Sequence, residues 1–170
     1  ELGIGPETDV VEFAPGMGVT ARLTLAHGPR SYQSIERDAH AVEYVMRRLN
    51  APNVLCRAGS ADDTGLPSAS ADVVYGEAML SMQTPLQKSR IAAEAARLLR
   101  PGGRYGIHEL CMHPEELPAE TQAAIRKEMS EAVHVGVRPL TVSDWHALFA
   151  QHGLTVRVTE MPRVVQPEPF

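Results

Sequence analysis

The chain has 170 residues, of which 44% are hydrophobic and 22% charged, and its formal net charge is −5. This profile predicts a single globular domain over residues 1–170 with a substantial core, and its acidic balance argues against non-specific nucleic-acid binding, which needs a basic surface. No apolar run approaches the roughly 18 residues of a membrane-spanning helix, so no membrane partner is expected.

The two cysteines, Cys56 and Cys111, are isolated within apolar, strand-like runs. Isolated thiols of this kind are typical of free cysteines in a reducing compartment. The histidines lack metal-ligand spacing, such as two histidines four residues apart on one helix. We therefore expect a cytoplasmic protein without a metal site.

Strand-like and helix-like segments alternate from the start of the chain. The first half predicts strands at 9–13, 31–35 and 54–58, and helices at 18–27 and 38–49. Crossovers of this length need helices and place the strands in parallel with right-handed connections. The alternation predicts an α/β, doubly wound, mostly parallel sheet of six to seven strands.

The second half continues the pattern with one interruption. It predicts strands at 72–75, 104–110 and 154–159, helices at 86–99 and 141–151, and a turn at 100–103. A seventh strand at 163–165 is expected to run antiparallel to its neighbour. Prolines bracket an amphipathic helix between residues 113 and 140, and we interpret that insertion as a lid or substrate wall.

Residues 10–18 combine a buried strand, a turn with two glycines and the start of a helix. Such a turn lets a ligand approach the backbone closely, and the helix N-terminus offers unpaired N–H groups. Open parallel sheets bind ligands where their strands end. Polar or glycine residues occupy five of these predicted ends, at 12–18, 36, 59–63, 76–77 and 108–113.

Two classes of ligand fit this turn. Residues 16–21, Gly-Met-Gly-Val-Thr-Ala, have the spacing of a dinucleotide-binding turn, and Glu36 follows about 20 residues later, where an acid binds ribose. Glu12 opposes that interpretation, because a carboxylate before the turn repels a pyrophosphate. A ligand with a cationic end and no phosphates, such as S-adenosylmethionine, removes the conflict.

The same segments resemble the class I S-adenosylmethionine-dependent methyltransferase family. Residues 10–18, Val-Val-Glu-Phe-Ala-Pro-Gly-Met-Gly, are similar to the family's first motif, and Glu36 matches its ribose-binding acid. Gly-Ser-Ala at 59–61 resembles the segment that lines the adenine. Leu-Leu-Arg-Pro-Gly-Gly at 98–103 resembles the family's turn before the fifth strand. The resemblance covers nearly the whole chain and implies a Rossmann-like methyltransferase fold.

The resemblance implies a set of cofactor contacts at the strand ends. The residues expected to bind S-adenosylmethionine, or its product S-adenosylhomocysteine, are Glu12, Ala14, Pro15, Gly16, Gly18, Glu36, Arg37, Ser60, Ala61, Asp62, Gly76, Glu77 and Met79. Ala14 stands where the family usually has its first glycine. Ser60 stands where an adenine-binding aspartate is common, so Asp62 or Asp63 is expected to supply that contact.

The implied reaction is methyl transfer to a small-molecule acceptor by in-line displacement, which needs positioning, exclusion of water and removal of a proton. The candidates for handling the proton are Glu77, His108 and Glu109. Two alternatives stay open at this point: a non-catalytic cofactor-binding partner subunit, and an NAD(P)-dependent oxidoreductase. A homodimer is a further expectation.

Overall fold

The computed structural model describes residues 2–49 and 51–158. The strands of this part of the chain are β1 (Asp9–Phe13), β2 (Ser31–Glu36), β3 (Val54–Ala58), β4 (Ala71–Glu77) and β5 (Leu99–His108). The helices are α1 (Val19–Ala26), α2 (Ala39–Arg48), α3 (Pro85–Leu98), α4 (Ala119–Val133) and α5 (Val142–Ala150). The strands form one parallel sheet in the order β3-β2-β1-β4-β5, which is the predicted α/β architecture.

Each face of the sheet is covered by its own group of helices. Alternate residues of β1 point to opposite faces, so Val10 packs with α1 and α2 while Val11 and Phe13 pack with α3 and α5. All three side chains are at most 2% exposed. Because β1 is central and covered on both sides, a ligand can reach it only where the strand ends.

Local caps start the helices where the sequence places them. Asp38 accepts hydrogen bonds from the amides of His40 and Ala41 and begins α2. Thr141 accepts the amide of Asp144 and begins α5.

The predicted sixth and seventh strands differ in outcome. Residues 154–158 form no strand, although Leu154 and Val156 pack against the core while Thr155 and Arg157 are exposed. An alternating pattern reports which side chains face the core, and it does not require a hydrogen-bonded neighbour, so the prediction of a strand there was wrong. Residues 159 and 163–165, and with them the predicted antiparallel strand, lie outside the described residues.

The start of β5 also differs from the prediction of a turn at 100–103. The strand already begins at Leu99, which pairs with Ala71, and the register then shifts so that Val73 pairs with Arg104. The glycines are accommodated in this irregularity, where Gly102 has a φ of +82°. A strong turn signal therefore marks a bulge inside a strand.

The region between β5 and α5 contains α4, which has no buried residue. Its returning segment is tied to the sheet, since Cys111 forms a parallel bridge with Leu140 and the amide of Met112 donates to the Leu140 carbonyl at 3.0 Å. The predicted insertion is thus a half-exposed helix with an anchored return. None of the described helices is both long and apolar enough to cross a membrane.

An ion-pair cluster lies at the opposite end of the sheet from the glycine turn. Asp9, with a side chain 17% exposed, accepts bonds from Arg30 and Ser31 and pairs with Arg100 at 2.9 Å. The Arg30 contacts hold the pKa of Asp9 well below its ordinary value of 3.8. A carboxylate with a depressed pKa stabilises the fold above its ordinary pKa and loses that contribution as the pH falls.

We expect Asp9→Asn to lower the free energy of unfolding by about 1–3 kcal/mol at neutral pH, the range for hydrogen bonds to a charged group. Urea denaturation at several pH values measures this. The gap between the two proteins should narrow as the pH falls below the ordinary pKa of aspartate, because the unfolded wild-type chain then takes up a proton that the folded carboxylate resists. A gap independent of pH would contradict the assignment to these ion pairs.

Candidate functional site

A groove opens at the carboxyl ends of β1, β2, β3 and β4. It has a volume of about 140 Å³ and is lined by Ala14, Ile35, Glu36, Arg37, Gly59, Ala61, Met79, Met82 and Gln83. Five of the predicted cofactor contacts, Ala14, Glu36, Arg37, Ala61 and Met79, line it together. The sheet therefore brings residues from four separate strand ends to one concave surface.

The turn after β1 has a left-handed backbone at alternate positions. Ala14, Gly16 and Gly18 have φ values of +53°, +52° and +72°. Ala14 thus adopts the glycine-like conformation of the position where the sequence lacks a glycine, at some cost in strain. A Cβ atom added to Gly16 would meet nothing within 4 Å, so the missing side chain leaves open space above the turn. Pro15 is buried, and its carbonyl accepts the Gly18 amide at 2.8 Å.

Glu36 joins this turn to the end of β2. One carboxylate oxygen accepts the Gly16 amide at 3.1 Å, and the other accepts the Asp38 amide at 3.0 Å. A carboxylate has about four lone-pair positions, so each oxygen keeps acceptor capacity beyond these two bonds. Glu36 lines the groove with that capacity, which is what recognition of a pair of ribose hydroxyls requires.

Polar side chains form a chain at the rim of the groove. Arg37 donates to the Ser60 hydroxyl from Nε at 3.3 Å and from Nη2 at 3.0 Å, and Ser60 donates to Asp62. Ser60 therefore holds Asp62 and Arg37 in fixed positions. Neither Ser60 nor Asp62 is among the residues that line the groove itself.

Glu12 finds its polar partners within the protein. Its side chain is 3% exposed and lies on the face covered by α1 and α2, where it accepts the Tyr32 hydroxyl and, at 2.6 Å, the Tyr75 hydroxyl. Tyr75 is also 2.7 Å from the Thr24 hydroxyl. Burial raises the pKa of Glu12 above its ordinary value of 4.5.

The position of Glu12 weakens the reason that the sequence suggested for a cationic ligand. Glu12 does not line the groove, so its carboxylate gives little reason to prefer a cationic ligand over a pyrophosphate there. Its direct contacts are with the tyrosines beneath the glycine turn. The choice between cofactors must therefore depend on other residues, and a cofactor contact by Glu12 stays a prediction.

A second cluster lies where β4 and β5 end side by side. Glu77 pairs with His108 in the strand register, accepts the Thr20 hydroxyl at 2.6 Å, and lies 3.1 Å from Nδ1 of His108. The hydrogen bond from Thr20, followed by that from His108, lowers the pKa of Glu77. The Glu77 and His108 side chains are 47% and 60% exposed, so both groups are accessible from the solvent.

Glu109 occupies a different environment from its neighbour His108. One of its oxygens accepts the amides of Met79 and Leu80 at 2.8 and 2.7 Å, and the other accepts the amide of Ser81 at 3.0 Å. The carboxylate thereby holds the start of the turn 79–83, which follows β4 and forms one side of the groove. We call residues 79–83 the wall turn. These contacts give Glu109 a structural role, and its role in proton transfer stays a prediction.

Several residues of the site had no clear signal in the sequence. Met82 and Gln83 line the groove because the wall turn contains a 3-10 turn at Leu80–Met82, which the sequence analysis did not predict. Gly76, which the sequence did predict as a cofactor contact, lies beneath that turn, where an added Cβ would come within 3.3 Å of Met79 and 3.5 Å of Phe13. Thr20 lies in the helix that the sequence predicts after the glycine turn. Its hydrogen bond to Glu77 forms because the sheet places the end of β4 beside that helix.

The family comparison falls on this part of the molecule. A family model described as a methyltransferase domain matches residues 10–103, more than half of the chain, from β1 into β5. Among curated proteins, an uncharacterized protein from Haemophilus influenzae is 26% identical over 155 residues, covering 89% of this chain and 60% of that protein.

Solved structures share the fold at low sequence identity. The YcgJ protein from Bacillus subtilis has a TM-score of 0.76 and 19% identity, covering 89% of this chain and 63% of its own. Geranyl diphosphate C-methyltransferase from Streptomyces coelicolor, solved with Mg²⁺, geranyl diphosphate and S-adenosylhomocysteine, has a TM-score of 0.73 and 18% identity, covering 89% of this chain and 54% of its own. The chain spans less than two thirds of the length of each of these three proteins.

Proposed function

Because the chain belongs to the methyltransferase domain family, we propose that it transfers a methyl group from S-adenosylmethionine to a small-molecule acceptor. The observation that carries the proposal is Glu36, an acceptor that lines the groove and binds the Gly16 amide of the adjoining glycine-bearing turn. The groove and the turn lie within the matched range of the chain.

The residues of the groove fit this cofactor in chemistry. When bound, S-adenosylmethionine supplies a methyl group activated by its sulfonium. In the proposed arrangement Glu36 accepts the two ribose hydroxyls, while Ala61 and Met79 offer apolar contact to the adenine ring. Glu77, kept ionised by its partners, attracts the cationic amino-acid end.

The rim residues complete the proposed adenine site. Arg37 and Asp62 are both fixed through the Ser60 hydroxyl, and Asp62 stays near the groove although Ser60 replaces the expected aspartate. We assign the contact to the adenine amino group to Asp62. This assignment follows from the polar chain Arg37–Ser60–Asp62, which leaves Ser60 itself engaged on both sides.

His108 is the proposed base on the acceptor side. Its Nδ1 is oriented by Glu77, while Nε2 has no hydrogen-bond partner among the described residues. An oriented imidazole with one nitrogen available suits removal of a proton from an attacking atom. The half-exposed α4 and its anchored return would close over the acceptor, consistent with the proposed lid.

Titration calorimetry with S-adenosylhomocysteine tests the proposal directly, with NADH as the competing ligand. We expect saturable one-to-one binding of S-adenosylhomocysteine and no binding of NADH. NADH binding alone would instead support the oxidoreductase and overturn the proposal.

A non-catalytic partner subunit is the second candidate. A solved complex between the Haloferax volcanii Trm112 methyltransferase activator and its methyltransferase partner matches this chain with a TM-score of 0.75 and 16% identity over 93% of its length, which supports only the pairing with another subunit. Binding of S-adenosylhomocysteine without methyl transfer to any acceptor tried would favour such a role. The cytoplasmic location, the homodimer and the lack of a nucleic-acid partner stay predictions from composition.

A further inference from the structure

Lys88 is a buried charge that the proposed site does not use. It lies on α3, its side chain is 2% exposed, and Nζ donates to the carbonyls of Gln83 and Arg138, both at 2.9 Å. Burial lowers the pKa of Lys88 to about 8, so the side chain is still mostly a cation at neutral pH. A lysine is seldom buried without paired contacts, because desolvation of the ammonium is costly.

The two carbonyls belong to different parts of the molecule. Gln83 ends the wall turn and lines the groove, whereas Arg138 belongs to the segment that returns from α4. The Arg138 amide also donates to the Ser81 carbonyl at 2.6 Å. The wall turn is therefore joined to the returning segment at two points, through Lys88 and through Ser81.

Opposite charges hold the two ends of the wall turn. Glu109 binds the amides at its start, and Lys88 binds the carbonyl at its end. The charged groups that act on Lys88 are Glu109, which favours the cation, and Arg138 and Arg126, which oppose it. Lys88 of α3 and Glu109, which follows β5, thus fix the wall turn from its two ends, although neither residue belongs to that turn.

We propose that Lys88 is a positioning residue for the cofactor groove, holding the wall turn in place and coupling it to the segment that returns from α4. The coupling lets the position of the lid and the filling of the groove bias one another, since both depend on the same turn. Lys88 itself lies outside the groove lining and acts through Met79, Met82 and Gln83.

The test compares Lys88→Met with wild type in two measurements. In calorimetry, we expect S-adenosylhomocysteine affinity to fall about five-fold or more, a typical size for coupling between sites. In hydrogen exchange without ligand, we expect faster exchange in peptides covering residues 79–83 and 136–140. Lys88→Arg keeps a cation and should restore most of the affinity.

Two controls separate positioning from general loss of stability. Leu98→Ala removes a fully buried side chain at the far end of the same helix, about 15 Å along its axis from Lys88, and should leave the affinity near that of the wild type. If Lys88→Met fails to fold, Glu109→Gln loosens the other end of the turn and should give the same exchange pattern.

The inference rests on the proposed function only for its ligand. If the wild type binds no S-adenosylhomocysteine, the proposed function fails. The exchange measurement still decides whether Lys88 holds the wall turn in place. Wild-type affinity in Lys88→Met, or an equal loss in Leu98→Ala, would overturn the positioning role. Unchanged exchange at 79–83 and 136–140 in Lys88→Met would overturn the proposal that Lys88 holds the wall turn in place.

Discussion

Replacing Glu36 with alanine should weaken binding of S-adenosylhomocysteine by about 1–3 kcal/mol, or about 5- to 150-fold. The carboxylate is the groove's charged acceptor at the proposed ribose position, and its loss also frees the Gly16 and Asp38 amides that it binds. Titration calorimetry on both proteins measures the change directly.

Glu43→Ala is the matched control for this prediction. Glu43 is also a glutamate from this part of the chain, but its side chain is 66% exposed on α2 and paired with Arg47, away from the groove. That variant should bind S-adenosylhomocysteine as the wild type does. Equal affinity in wild type and Glu36→Ala would place the ribose elsewhere and remove the main support for the proposed site.

Replacing Glu12 with alanine should lower the free energy of unfolding by about 2–4 kcal/mol. The substitution leaves the buried Tyr32 and Tyr75 hydroxyls without their acceptor and creates a void between them. Both the lost hydrogen bonds and the void destabilise the folded state. For a domain of this size the melting temperature should fall by roughly 5–15 °C. Thermal and urea unfolding measure the effect.

Glu12→Gln retains an acceptor oxygen of the same shape and should cost about 1 kcal/mol or less. Because glutamine does not titrate, comparing this variant with the wild type also isolates the titration of Glu12, and burial raises the pKa of Glu12. A raised pKa contributes stability that is fully present below about 4.5 and is lost as the pH rises through the folded-state value. The free energy of wild type minus that of Glu12→Gln should therefore fall as the pH rises; a constant difference would contradict a titrating Glu12.

The sequence predicts the part of the site that depends on strand ends. Glu36 follows the alternating pattern of β2, and the glycine spacing after β1 marks the turn, so both could be placed at one edge of a parallel sheet. Gly59 and Ala61 follow from the same argument applied to β3. This logic needs only the alternation of elements and the rule that parallel strands end together.

The rest of the site depends on contacts between residues far apart in the chain. The tyrosines that bind Glu12 come from β2 and β4, 20 and 63 residues away. The sequence alone therefore could not show whether Glu12 binds a ligand or other residues of the protein. The wall turn takes its shape from Glu109, about 30 residues further along. The sequence therefore could not show that the oxygens of Glu109 bind backbone amides of that turn.

The central position of β1 also bears on how the chain is made. The strand gains its first neighbour early, since the Ser31 hydroxyl binds Asp9 across 22 residues, but the Asp9 amide meets Asp72 across 63 residues. During synthesis, the glycine turn is thus produced well before the strand that completes its surroundings. A nascent chain cannot form the groove until β4 and the wall turn have left the ribosome, and pairings this distant in sequence slow folding.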